Sequence, residues 1–279
     1  MNLYEKGYRM LVCDFDFSLS KTDRSVSERT VEAIKEFQRN GGIFAVCTGR
    51  ALPSLDMIFD KYGFEGYKIA YHGSIITDSA GNVIADNAMK WSDAVRVLDV
   101  LNSDNNSFFI AYIGDKLYCN KQSELMDFYY SVTKCTMDVH TDLINEIRCN
   151  KYDVRKILII EEEEKVNTLM AERYNELPQN LQVCVSQPNF IEAVDQSCIK
   201  GNAVRLLAEK LGIPLSEVVA VGDSSIDDSM LEAAGVGIAV SNAMDCTKLA
   251  ADYVCEYSCD EDAVYHIVKE CAFGKANKK

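Results

Sequence analysis

The chain has 279 residues, 48% of them apolar, enough to bury a full core as one large domain or two modest ones. Its 29 Lys and Arg stand against 43 Asp and Glu, a net charge of −14, which argues against a surface for nucleic acid or for an anionic membrane, since both need clustered positive charge. An anionic substrate would therefore be held against the protein's own field by a cation, a few basic side chains and backbone N–H groups. The first residues, MNLYEKGYRMLVCDFDFS, carry neither an apolar run of signal-peptide length nor a small-residue cleavage pattern. No later stretch approaches the about 18 apolar residues of a membrane helix, so the expectation is a cytoplasmic protein. Eleven scattered cysteines without a CxxC, and three histidines at positions 72, 140 and 266, give neither a disulfide framework nor a zinc spacing.

In chain order, Arg9 to Cys13 is a buried strand. Ser27 caps a helix whose inner face carries Val31, Ile34 and Phe37, and Gly41 and Gly42 end it. A second strand, Ile43 to Cys47, follows at once. Pro53 opens a helix bearing Leu55, Ile58, Phe59 and Tyr62, and Lys68 to Tyr71 forms a third strand. From Ile75 the pattern becomes a hairpin, with Ile75 and Ile76 facing Val83 and Ile84 across Asp78, Gly81 and Asn82. A mixed segment then alternates helices (92–101, 123–133, 163–175) with strands (108–113, 116–119, 156–160, 182–186). The acids Glu161 to Glu164 lie at a helix start, where they suit the helix dipole better than a metal. Regular α/β order returns with a helix at Lys200 to Gly212, a strand at Val218 to Val221, a helix at Asp227 to Gly235 and a strand at Val236 to Val240. This order predicts an α/β fold: a Rossmann-like parallel-sheet core of residues 1–85 and 187–279, interrupted by an inserted α+β domain at 86–186.

Ligands of open α/β sheets bind outside the carboxyl ends of the strands. Asp14 and Asp16 directly follow the first strand, and two carboxylates there can serve as nucleophile and proton carrier for phosphoryl transfer. Alone, a DxD reads equally well as an acidic turn. Thr48, Gly49 and Arg50 follow the second strand and present a hydroxyl, backbone N–H groups and a guanidinium to the same rim. Asp223 follows the strand at 218–221, and Asp227 lies four residues on. Asp14, Asp16 and Asp223 suffice as oxygen ligands for Mg²⁺, with Asp227 holding a water or a neighbouring side chain. Lys200 begins a helix, where a phosphate is already favoured, although a lone lysine there is commonly a surface residue.

Together, these groups at separate strand and helix ends resemble the haloacid dehalogenase (HAD) superfamily of phosphatases, and more narrowly its Cof-type (IIB) subfamily. The segments that carry the likeness are DFDFSLS from Asp14, CTGR from Cys47, YHGSIITDSAGNVI from Tyr71, KGNAVRLLAEKLGI from Lys200, GDSSIDDSML from Gly222 and ADYVCEYSCDEDAV from Ala251. The resemblance implies that Asp14 is phosphorylated and that Asp16 is acid/base and lends its main-chain carbonyl to Mg²⁺. It also implies that Thr48 and Lys200 bind phosphate, that Asp223 is a metal ligand, and that the insert is a cap conferring specificity toward a small phosphorylated metabolite such as a sugar phosphate. Three positions depart from the family pattern: Phe17 stands where the family has Gly, Ile226 where it has Asn, and His72 where Asn precedes Gly. His72 and Arg50 are candidates for reading the substrate. The expected activity is Mg²⁺-dependent hydrolysis of a phosphate monoester through an aspartyl phosphate. A phosphate-ester binding or regulatory protein of the same fold is the alternative, and transfer to an acceptor other than water uses the same site. Neither the substrate nor the oligomeric state is legible.

Overall fold

A computed structural model describes residues 7–103 and 106–269. They fall into two compact units, one of residues 7–49, 55–85 and 199–269 and one of residues 50–54 and 86–198. The first unit opens with β1 (Met10–Cys13), a π-helical turn (Phe15–Leu19), α1 (Glu28–Arg39) and β2 (Ile43–Cys47). It continues with α2 (Leu52–Tyr62), whose first turn counts with the second unit, and β3 (Tyr67–Ala70), β4 (Ile75–Thr77) and β5 (Val83–Asp86). The second unit comprises α3 (Trp91–Leu101), β6 (Phe108–Ile113), β7 (Lys116–Cys119), α4 (Glu124–Thr133), β8 (Met137–Val139), α5 (Leu143–Asn150), β9 (Lys156–Ile160), α6 (Glu163–Arg173), β10 (Leu181–Gln187) and β11 (Phe190–Asp195). The chain then returns through α7 (Lys200–Leu211), β12 (Val218–Gly222), α8 (Asp228–Ala233), β13 (Val236–Ala239), α9 (Asp245–Ala250), β14 (Tyr253–Val254) and α10 (Ala263–Lys269).

The first unit is built on a sheet of order β14-β13-β12-β1-β2-β3-β4-β5, parallel from β14 to β3 and antiparallel between β3 and β4. Its central strands are continuous apolar runs because both faces are covered: Met10 to Cys13 and Val218 to Val221 are fully buried. The chain winds one way from β1 through β2 to β3 and the other way from β1 through β12 to β14. The carboxyl end of β1 is thus the point where the strand order reverses, the place where such sheets hold ligands. Helix α1 starts where expected, the Ser27 side chain accepting from the Thr30 N–H, and Ala33, Ile34 and Phe37 face the core.

The second unit has its own sheet, of order β10-β11-β9-β6-β7-β8, antiparallel except for β7 with β8. Helices α3, α5 and α6 cover one face, packing Leu98, Leu101, Ile147 and Val166 with Phe109, Ala111, Ile157, Ile159 and Ile191 in one core. This unit runs to Cys198, beyond the boundary at 186 expected from the sequence. The reason is β11: its FIEAVD run lies between β10 and β9, so its apolar side chains complete this sheet and not the parallel one. The ten cysteines of the described residues are free, and Cys271 lies outside those residues. Among the described residues no helix is long and apolar enough to cross a membrane.

Candidate active site

Asp14 leaves the end of β1 in an extended conformation, its N–H donating to Val221 O on β12 at 2.9 Å, which sets the carboxylate above the sheet edge. Lys200, the first residue of α7, reaches the same place and is 3% exposed. Its Nζ donates to Asp14 Oδ1 and to Asp227 Oδ1, each at 2.6 Å. The other oxygen of Asp227 accepts from the N–H of Asp223 and of Ser224, both at 3.0 Å, and from Ser224 Oγ at 3.1 Å. Gly222 makes this possible, since a Cβ there would lie 2.5 Å from Asp227 Cβ. Asp223 in turn accepts from Ser18 Oγ at 2.8 Å.

One carboxylate oxygen from each of Asp14, Asp223 and Asp227 lies within 4.8 Å of the others. Three carboxylates around one lysine leave an excess of negative charge in a buried space. Burial, more than any neighbour, pushes the Asp14 carboxyl well above its ordinary range, with Asp227, Asp223 and Asp16 adding to the rise and Lys200 opposing it. Asp223 is pushed up to about 7, first by burial and then by Asp227, while the Ser18 hydrogen bond and Lys200 act the other way. Burial tends to lower Lys200, yet the adjoining Asp14 and Asp227 carboxylates outweigh it and hold the ammonium well above its usual value. The donor set fits a hard divalent cation, because every group is an oxygen and the site is short of positive charge. Asp227, with both oxygens engaged on Lys200 and on backbone N–H groups, is one layer out. Asp14 and Asp223 are the side chains that could hold such an ion.

The other expected residues fall as follows. Asp16 is half-buried and extended, two residues past Asp14 within the π-helical turn. Thr48 is buried at the end of β2, with its N–H donating to Ile69 O and its carbonyl accepting from His72 N–H at 3.0 Å. His72 is buried against Gly49, where a Cβ would sit 2.4 Å from the imidazole, so a larger residue there would have to displace the ring. Arg50 belongs to the second unit, where it donates to Ser54 Oγ at 3.3 Å. Ile226 is half-buried in the turn between Ser225 and Asp227.

Sequence reasoning missed two supports. Ser18 offers no more than a hydroxyl along the chain, and its grip on Asp223 needs β1 beside β12. Asn242 follows β13 and carries no motif. Its Nδ2 donates to Phe17 O at 2.9 Å and its Oδ1 accepts from Cys259 N–H at 2.8 Å, tying the turn after β1 to the loop after β13. Its place beyond a strand's carboxyl end was the available signal.

A family profile for haloacid dehalogenase-like hydrolases matches residues 11–268. Phosphatase YwpJ of Bacillus subtilis is 29% identical over 284 residues, an overlap covering 94% of this chain and 99% of that protein. The crystal structure of a haloacid dehalogenase-like hydrolase from Bacteroides thetaiotaomicron superposes with a TM-score of 0.84 at 26% identity, covering 94% of this chain and 98% of the other. The HAD subclass IIB sugar phosphatase BT4131 shares the fold, with a TM-score of 0.77 at 20% identity over 92% of this chain and 96% of its own. With the Asp14, Lys200 and Asp223 constellation at the carboxyl end of a parallel sheet, this match over nearly the whole chain establishes that the protein belongs to the haloacid dehalogenase-like hydrolases.

Proposed function

We infer that this enzyme, a phosphoric monoester hydrolase of the HAD type, releases phosphate from a small organic phosphate, a sugar phosphate or related metabolite, through an aspartyl phosphate on Asp14. The observation that supports this most is the buried Lys200 ammonium, 2.6 Å from both Asp14 and Asp227, beside the Asp223 carboxylate. In this reading Asp14 attacks phosphorus in line and Asp16 gives a proton to the leaving oxygen. Asp16 then takes a proton from the water that cleaves the acyl phosphate. Lys200 and Thr48 steady the phosphate oxygens, and His72 and Arg50 are the proposed substrate readers. Bound Mg²⁺ would neutralise charge on the transferring group. Asp14, Asp223 and the main-chain carbonyl of Asp16 are the ligands we assign to it.

Phosphate release measured with Mg²⁺ over a panel of sugar phosphates, nucleotides and cofactor phosphates tests the proposal. Release from at least one of them, lost in excess chelator, is expected, and full activity in chelator would overturn it. The second unit is the proposed cap that selects the substrate. In the same panel, a chain with residues 86–198 replaced by a flexible linker should lose its preferences, and preferences left intact would remove this role from the unit.

Metal binding has a readout that needs no turnover. Asp223, whose carboxyl is raised to about 7, contributes stability that is fully present below the ordinary carboxylate range and lost as pH rises through about 7. Without metal the protein therefore loses stability as these carboxylates ionise, and a divalent cation offsets that loss only where they are charged. The rise in Tm on adding Mg²⁺ should be several degrees at about pH 8 and close to zero at about pH 5. A rise as large at the acid end would place the ion elsewhere.

Ile226 bears on the alternative of a binding protein without turnover. The Asp227 carboxylate is held by Lys200, Ser224 and backbone N–H groups, and none of these contacts uses the side chain at 226. Ile226→Asn should therefore change kcat/KM by less than about tenfold. A wild type silent over the panel, with activity appearing only in Ile226→Asn, would favour the binding protein.

A further inference from the structure

The turn that carries Asp16 also carries an aromatic ring that folding does not account for. Phe17 has φ 59° and ψ 8°, the left-handed region where a side chain is penalised and glycine is not. Phe17 is 42% exposed, so burial offsets the strain only in part. The conformation is imposed from both sides: Asn242 Nδ2 holds the Phe17 carbonyl at 2.9 Å, and Ser18 next along the chain holds the Asp223 carboxylate at 2.8 Å. Glycine would satisfy the same backbone without strain and without exposing apolar surface. Strain of this kind persists where the surroundings over-determine it, and it clusters at sites of function.

A second exposed apolar side chain lies in the loop that Asn242 ties to this turn. Met244 is 53% exposed, and its N–H donates to the main-chain carbonyl of Asp223 at 2.8 Å. An aromatic face and a polarisable thioether are thus carried on loops bonded to each other and to the residues bearing the carboxylate cluster. Both groups favour contact with a flat, weakly polar ring.

We propose that Phe17, with Met244 on the loop tied to its turn, is a specificity-determining residue that packs against a ring in the leaving group of the phosphate ester. The ligand chemistry is a flat ring face, supplied either by an aromatic or heterocyclic ring or by the C–H face of a saturated ring. The inference rests on the phosphatase reading for its choice of ligand. It is tested by binding alone, so the two can fail separately.

The probes are methylphosphonate, phenylphosphonate and cyclohexylphosphonate, which cannot be hydrolysed at the P–C bond, titrated calorimetrically into the full chain with Mg²⁺. The wild type should bind at least one ring-bearing phosphonate about tenfold or more tighter than methylphosphonate, and Phe17→Gly should shrink that preference to within about twofold. Phe17→Trp should retain it. Preference for phenyl alone identifies an aromatic leaving group, and equal preference for cyclohexyl identifies the C–H face of a saturated ring. Thermal melting separates recognition from folding, because Phe17→Gly relieves the left-handed strain and should melt at or above the wild-type temperature. No ring preference in the wild type, a preference that Phe17→Gly leaves intact, or a Phe17→Gly chain that melts markedly lower would each overturn the proposal. Absence of phosphate release from every ester, with the ring preference present, would instead count against the phosphatase reading alone.

Discussion

Asp14→Asn is expected to lower turnover by at least about 10³-fold while leaving the protein folded. An amide keeps the size and planarity of the carboxylate but is too poor a nucleophile to form the acyl phosphate. Its Oδ can still accept from Lys200, which also retains Asp227 at 2.6 Å, so no charge is stranded. Burial already drives the Asp14 carboxyl toward its neutral form, and a neutral residue therefore suits the empty site at least as well. Melting within a few degrees of the wild type, together with collapsed phosphate release, is the expected pair of results. Near-normal release would move the nucleophile to another residue. Loss of the fold would show that the Asp14 charge holds the sheet edge together.

Lys200→Met should cost the most stability of any single change at the site. Methionine fills a similar volume but removes the cation between Asp14 and Asp227, which are 6% and 0% exposed. Breaking a buried ion pair from one side leaves an uncompensated charge and typically costs about 3–5 kcal/mol. Here the residual cost is moderated as Asp14 takes up a proton. A loss of about 3 kcal/mol or more in chemical denaturation is expected at about pH 8, with a smaller loss at acid pH, where the raised Asp14 carboxyl takes up its proton. Adding Asp227→Asn to Lys200→Met should recover part of it, because the two residues share one hydrogen-bonded network. Turnover should fall by about 10²-fold or more, since the phosphate would then meet carboxylates without their lysine. A Lys200→Met protein as stable as the wild type would mean that water or ions already neutralise the cluster.

Much of this site is legible along the chain. Parallel strands buried on both faces must be unbroken apolar runs, so LVC, FAVC and VVAV announce themselves, and the polar residues that end them must stand at the rim. Asp14, Thr48 and Asp223 are found that way, and the Ser27 cap and Gly212 stop follow from local backbone chemistry alone. The fold class follows from the same alternation of short apolar runs with amphipathic helices.

Other features exist only once the strands are paired. Lys200 reads as a surface lysine by its neighbours, and it becomes a buried ion-pair partner because residues 186 positions apart meet at the switch point of the sheet. Asp227, four residues from Asp223 in a turn, closes on Lys200 only because Gly222 has no side chain to keep it away. Ser18 and Asp223, 205 positions apart, are brought together by β1 lying beside β12. The limit of the second unit at Cys198 depends on which sheet the apolar run at 190–195 joins, a choice made by strand register and not by composition. Sequence alone thus determined which residues can lie at the rim, since local apolar periodicity is set by backbone geometry. Only the tertiary structure decided which of them share one buried space, and with it their charge state, because burial and Coulomb interaction depend on distance in space and not along the chain.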